Sequence, residues 1–340
     1  MSIDLNTIWF VLVGVLFTGY AILDGFDLGV GSLHLFTRND TDRRLMINAI
    51  GPVWDGNEVW LVTGGGALFA AFPEVYATSF SGFYMAMILL LVALIFRAVA
   101  IEFRSKQTSK IWRQVWDVSF STGSILAGFL IGVALGNIAG GVPLDTNHEY
   151  VGSFWSLLNP YALLVGITTV ALFMMHGSIY IMIKTEGEIQ KQIHRWVNNS
   201  IIFFIVCYVI TTIATLLFVP SMSATMRDIP FLFIIPVLNI LTIANIPREI
   251  HKGHIFQAFL SSCLTVMLLM TTFGIGMYPD LIYSNPDIAN SLTIYNAASS
   301  QKTLKIMLII AAIGMPLVIA YTTTIYWIFR GKVKLDSHSY

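Results

Sequence analysis

The sequence predicts an all-α protein, a polytopic integral membrane helical bundle. Three observations predict it. The 340-residue chain is 56% hydrophobic and only 11% charged, against roughly 25% charged in soluble domains. Its apolar residues fall into about nine runs near the ~20 residues that a helix needs to cross a bilayer. The polar stretches between the runs are too short to hold a soluble domain. One transmembrane domain therefore takes residues 1–340, an acidic helical hairpin over 8–72 followed by about seven further spans.

The first span reads Ile8–Phe36, and the segment after it carries Arg38, Arg43 and Arg44. Leu45–Phe72 returns across the membrane as one helix. Val75–Phe103 follows, ending at Arg104, Lys106, Lys110 and Arg113. Val115–Ala139 and Leu157–Ile183 form the fourth and fifth spans, and Lys184, Lys191 and Arg195 follow them. Val197–Val219 and the short Phe231–Ile246 lead to Arg248 and Lys252; Ile255–Met277 and Leu304–Phe329 lead to Arg330, Lys332 and Lys334. The opposite side holds only Arg227, Lys302 and Lys305. Basic residues collect on the cytoplasmic side, so the N-terminus is expected outside and the C-terminus in the cytoplasm. This asymmetry requires an odd number of spans.

Several local features have plain readings. Ser124, Gly128, Gly132, Gly136 and Gly140 recur every four residues, a small-residue stripe that lets another helix approach. Gly64–Gly66 lacks the strand–loop–helix context and the Lys-Ser/Thr of a phosphate loop; it is expected to loosen the helix or admit a partner or cofactor. The seventh span, with Pro236, Asn239 and Asn245, reads as a kinked peripheral helix, although short interrupted spans also mark transporter sites. The segments Gly140–Ser156 and Pro279–Gln301 are expected to be ordered outer caps. MSIDLNT has neither the basic region nor the cleavage site of a signal peptide. A net charge of zero with no basic block excludes nucleic acid as a partner, and Cys207 and Cys263 lie in apolar runs without metal spacing.

The chemistry collects in the hairpin. Asp24 and Asp27 lie three residues apart in the first span, and Asp55 and Glu58 repeat that spacing in the second. Side chains three apart share a helix face, and an intramembrane carboxylate is costly unless it faces protein or water. At 1.5 Å per residue, Asp27 lies roughly 13 Å from the inner end, Asp24 and Asp55 roughly 17 Å, and Glu58 roughly 21 Å. The four carboxylates thus form a ladder from the inner face toward the bilayer centre. Desolvated neighbouring carboxylates hold protons more readily, which suits a proton path. Arg97, inside the third span, is expected to snorkel to the inner interface or to pair structurally, with Glu102 or Asp27 as candidate partners. Asp117 is expected to sit at a helix N-terminus. Of the seven histidines only His176 is clearly within a span, so a bis-His haem site lacks a second ligand at its depth; a satisfied buried histidine is the simpler reading. No metal site is expected. These residues alone leave a transporter, a proton-channel subunit and a redox-complex subunit open.

The runs GYAILDGFDLGVG (Gly19–Gly31), RNDTDRRLMINAIGPVWDGNEVWLVTGGGALFAAFPEVYA (Arg38–Ala77) and FSGFYMAMILLLVALIFRAVAIEFRSK (Phe80–Lys106) are similar to subunit II of cytochrome bd-type quinol oxidases. VALGN with GGVP, LLNPYALLVG, Asn290–Tyr295 and SSQKTL extend the resemblance over nearly the whole chain. The resemblance implies a subunit of a bacterial or archaeal inner-membrane quinol oxidase that reduces dioxygen to water without pumping protons. It implies that haems b and d, or b alone, and the quinol site belong to subunit I, a pseudo-symmetric partner, and that this chain ligates no cofactor. It further implies a cytoplasmic proton route at the subunit interface through the D-G-F-D and W-D-G-N motifs, here Asp24 and Asp55; Glu58 stands where some members carry Gln. A structural quinone in this chain, bound lipid and a small single-span subunit are features of some members. The rival reading is a proton-coupled secondary transporter using the same carboxylates.

Overall fold

A computed structural model describes residues 4–335 and is helical almost throughout. Helix α1 spans Leu5–Leu33, opened by the Asp4 carboxylate, which accepts the Thr7 N–H at 2.7 Å. At 29 residues it is about 43 Å long, longer than the ~30 Å hydrocarbon core.

The second span is not one helix. It divides into α2 (Asp40–Ile50) and α3 (Trp54–Ala71). Pro52 has no N–H to continue the ladder, and its ring clashes with the preceding turn. One carbonyl near the break, that of Ala49, accepts the Tyr180 hydroxyl at 3.0 Å. Helix α3 runs antiparallel to α1, since Asn57 meets Leu23, Trp60 packs at Gly19 and Phe17 packs at Gly64. The third span is also divided. Helix α4 (Pro73–Gly82) opens on Pro73, and α5 (Tyr84–Phe103) follows a break at Phe83, just after Ser81-Gly82.

Helices α6 (Lys110–Gly140) and α7 (Pro160–Lys184) interlock through the small-residue stripe. A Cβ on Gly132 would lie 2.7 Å from the Gly166 Cα, and one on Gly136 would lie 2.7 Å from the Ala162 Cα. Helices α1 and α7 touch backbone to backbone at Gly29 and Gly177, where a Cβ on Gly29 would lie 1.8 Å from the Phe173 carbonyl oxygen. Helix α8 (Glu188–Phe218), the short α9 (Ala224–Asp228), α10 (Ile234–His251) and α11 (Ile255–Met277) follow. In α10 the expected irregularity is a peripheral helix on α11, joined by Asn245 donating to Ser261 Oγ at 2.9 Å. Helix α12 (Gln301–Ile328) closes the bundle and is the least buried of the spans.

Eight helices among the described residues are long and apolar enough to cross a membrane. The acidic α2–α3 pair is the remaining span of the sequence reading, and its break and carboxylates set it apart from the eight. The outer segments form ordered caps. Strands β1 (Asp280–Ile282) and β2 (Leu292–Thr293) pair antiparallel. Asn6 donates to the Ile294 carbonyl at 2.8 Å, and Trp9 donates to that of Leu304 at 2.9 Å. An outer core around Trp9, Phe72 and Leu292 and an inner core around Phe26, Ile47 and Phe204 sit at the two ends.

Candidate functional site

Three of the four ladder carboxylates converge on one guanidinium. Arg97 is fully buried on α5. Its Nη2 donates to Asp24 Oδ1 at 2.6 Å and its Nη1 to Asp24 Oδ2 at 3.4 Å, a two-pronged contact. Nη1 also donates to Glu58 Oε1, and Nη2 lies 3.9 Å from Asp27 Oδ2. The Arg97 head group therefore turns into the bundle instead of snorkelling. Asp24 and Glu58 are its principal partners, with Asp27 further off; Glu102 lies in the last turn of α5, partly buried. A guanidinium suits this place because its planar fork serves several carboxylates at once and stays charged.

Asp24 and Asp27 are fully buried, and Asn57 on α3 is nearly so. Asn57 Nδ2 donates to Asp27 Oδ2 at 2.7 Å and to the Leu23 carbonyl at 3.1 Å, and its Oδ1 accepts the Tyr326 hydroxyl at 2.9 Å. Tyr20, one helical turn outward of Asp24, is also buried. Beyond it α1 buries only Leu16, Val13 and Trp9 before Asn6.

Asp55 does not join the cluster. The break at Pro52 sets the azimuth of α3, and Asp55 falls in its first turn on the exposed side. That side continues through Gly56, Val59, Val62, Thr63, Gly66 and Phe69, all exposed. Glu58 bridges the two faces, with 23% of its side chain exposed and its carboxylate on Arg97. Of the three glycines, Gly64 lies against Phe17 while Gly65 and Gly66 open outward.

A second ionic lattice lies at the inner end. Asp117 is the eighth residue of α6, not a helix-terminal carboxylate. It accepts from His34 Nε2 at 2.6 Å, from Arg43 Nη1 at 2.8 Å and from Arg104. Arg104 Nη2 and Arg113 Nη1 reach Asp40 at 2.7 and 2.8 Å. This lattice ties α1, α2, α5 and α6 together. The sequence signal for it was a charged residue near each of those helix ends, but nothing in the sequence paired them.

His176 is buried with both ring nitrogens engaged. Nε2 donates to the Ile22 carbonyl at 2.9 Å, Nδ1 meets Ser262 Oγ at 2.8 Å, and the ring stacks on Phe259. Both ring nitrogens are thus hydrogen-bonded within the bundle, the arrangement of a satisfied buried histidine. Among the described residues no group of three or more His, Cys, Asp or Glu could hold a metal ion.

Comparison with known proteins follows the same lines. The sequence profile of the cytochrome bd terminal oxidase subunit II family matches residues 5–329. The chain is 37% identical to the cytochrome bd-I ubiquinol oxidase subunit 2 of Escherichia coli, covering 98% of this chain and 96% of that one. It is 35% identical to the cytochrome bd ubiquinol oxidase subunit 2 of Bacillus subtilis, covering 97% of each. In fold it resembles a chain of the bd oxidase from Geobacillus thermodenitrificans, with a TM-score of 0.79 at 15% identity over 96% of this chain and 98% of that one. These relatives do not favour the transporter reading. The chain belongs to the cytochrome bd terminal oxidase subunit II family, and is a multi-pass inner-membrane subunit of an oxidoreductase complex.

Proposed function

We propose that this chain packs against a haem-bearing subunit I through the exposed face of α3, and that the face carries a cytoplasmic proton path toward the partner's oxygen-reducing haem. The observation that carries the reading is the position of Asp55. An ionised Asp facing lipid costs about 2.5–3.5 kcal/mol on insertion scales, yet Asp55 heads an exposed stripe with Gly56, Thr63 and Gly66. Small residues in such a stripe let a second helix approach closely. A partner helix over this stripe would shelter Asp55 and enclose a route between Asp55 and Glu58.

The haem, bound in the partner, supplies the site of oxygen reduction; electrons come from a quinol, as the relatives' names indicate for their own complexes. The residues of this chain hold and move protons. Asp55 receives a proton at the interface and Glu58 passes it along the same helix face. The Asp24–Arg97 pair supports Glu58 from behind, with Asp27 as a buried reserve. The one guanidinium cannot neutralise three carboxylates, so the cluster accommodates an added proton. The apolar outer half of α1 blocks leakage to the far side.

Asp55→Asn in the assembled complex tests this. Asp55 lies outside the buried ionic network, so haem content and subunit yield should stay normal while oxygen reduction slows, by roughly 100-fold for a lost proton-transfer group. Normal turnover with normal haem contradicts the proton role. Loss of haem makes Asp55 structural and contradicts it as well.

A further inference from the structure

The acidic cluster has one hydrogen-bond chain that the path above does not use, and it leads to a different helix. Asn57 makes three hydrogen bonds with a single buried carboxamide. The nitrogen serves Asp27 Oδ2 and the Leu23 carbonyl, and the oxygen accepts from Tyr326 on α12. A carboxamide has a donor end and an acceptor end. The tyrosine hydroxyl keeps the acceptor end toward α12, and this turns the donor end to Asp27. Asp27 is the least compensated member of the cluster: the nearest guanidinium nitrogen is 3.9 Å away, and its Oδ1 is buried with no hydrogen-bond partner.

We infer that Asn57 and Tyr326 are positioning residues for Asp27, holding its carboxyl by Oδ2 and leaving Oδ1 as the oxygen that gains and loses a proton, so that α12 sets how readily the cluster is loaded. The inference rests on the proton path proposed above. The ionisable groups that act on Asp27 are Asp24 on its own helix, Glu58 on α3, Arg97 on α5, Tyr180 on α7 and Tyr326 on α12. Among these, Tyr326 acts through Asn57 and belongs to the helix least tied into the bundle. A shift of α12 would therefore be felt at Asp27 through one amide. If Asn57 turned over, it would present its oxygen to Asp27, an arrangement that suits only a protonated carboxyl.

Tyr326→Phe in the assembled complex removes the hydroxyl and little else. The expected result is normal haem content, a changed carboxyl band in the redox-induced infrared difference spectrum, and a shift of the alkaline limb of oxygen reduction to higher pH. The expected size is about one pH unit, a tenfold higher proton affinity. Asn57→Ser removes the donor to Oδ2 directly and should move the limb the same way. An unchanged band and profile in either variant with normal haem overturns the inference. Failure of both variants to assemble makes the pair structural and overturns it too. Asp55→Asn in parallel separates the two claims. If that variant keeps full turnover the proton path fails, whereas a band shift in Tyr326→Phe still reports the coupling of Tyr326 to Asp27.

Discussion

Arg97 is the residue on which the buried charge balance turns. It compensates Asp24 and Glu58 directly and Asp27 at longer range. Taking away one partner of a buried ion pair costs about 3–5 kcal/mol because the other charge is stranded. Arg97→Met should therefore lower the thermal stability of the complex sharply or abolish its recovery. Arg97→Lys should do less harm but should not restore the wild-type melting temperature, because an ammonium lacks the fork. A melting curve equal to wild type for Arg97→Met would refute this charge accounting. The sequence showed the carboxylates and the depth of Arg97, since both follow from counting residues along a helix. It did not show that Arg97 meets Asp24 and Glu58, because depth does not fix azimuth. For the same reason the sequence did not show that Asp55 turns to the exposed side of α3, which begins anew after the break at Pro52. Asn57 lay inside the W-D-G-N motif but nothing there gave it a partner, and Tyr326 gave no signal, until the fold brings the two together.

At the scale of elements, close backbone approach positions the site. Gly29 and Gly177 let α1 and α7 touch, which sets α1 with Asp24 and Asp27 toward α3 and α5. Gly29→Ala would place a methyl on the Phe173 carbonyl, and the clash should cost about 1–3 kcal/mol or more, read as a lower melting temperature. Gly14→Ala, at an open position on the same helix, is the control and should leave it near wild type. The α6 stripe was legible because its spacing is regular; the Gly29–Gly177 contact was not, because two single glycines on distant helices show no period. The outer cap offers a pH test. Burial of Asp280 raises its carboxyl above the usual range. The protonated form is thus favoured in the folded cap, and its contribution to stability is full below about pH 4 and is lost as pH rises through the folded value. Asp280→Asn should slow hydrogen exchange in β1 and β2 at neutral pH and make no difference below about pH 4. Equal exchange in both proteins at neutral pH would show that Asp280 carries no such penalty.

Over the whole molecule, close glycine contacts and apolar cores pack the helices, and ionic or polar ties hold the ends. The inner lattice around Asp117 and the outer caps clamp the two ends, and the middle holds one buried ionic cluster. The class of fold was legible because hydropathy acts over many residues at once. The breaks at Pro52 and Phe83 lay inside continuous apolar runs and so escaped that averaging. Helices α3 and α12 flank the cluster, α3 offering Asp55 at the surface and α12 reaching inward to Asp27 through Tyr326 and Asn57. In the proposed assembly a partner over the exposed face of α3 would cover Asp55 and complete the route. The most direct test is proton uptake from the inner side during oxygen reduction by the reconstituted complex, followed with a pH indicator for wild type and for Asp55→Asn. The account predicts that uptake in the variant slows together with oxygen reduction while the haems still accept electrons from quinol at the normal rate. Uptake at the wild-type rate in the variant would contradict it.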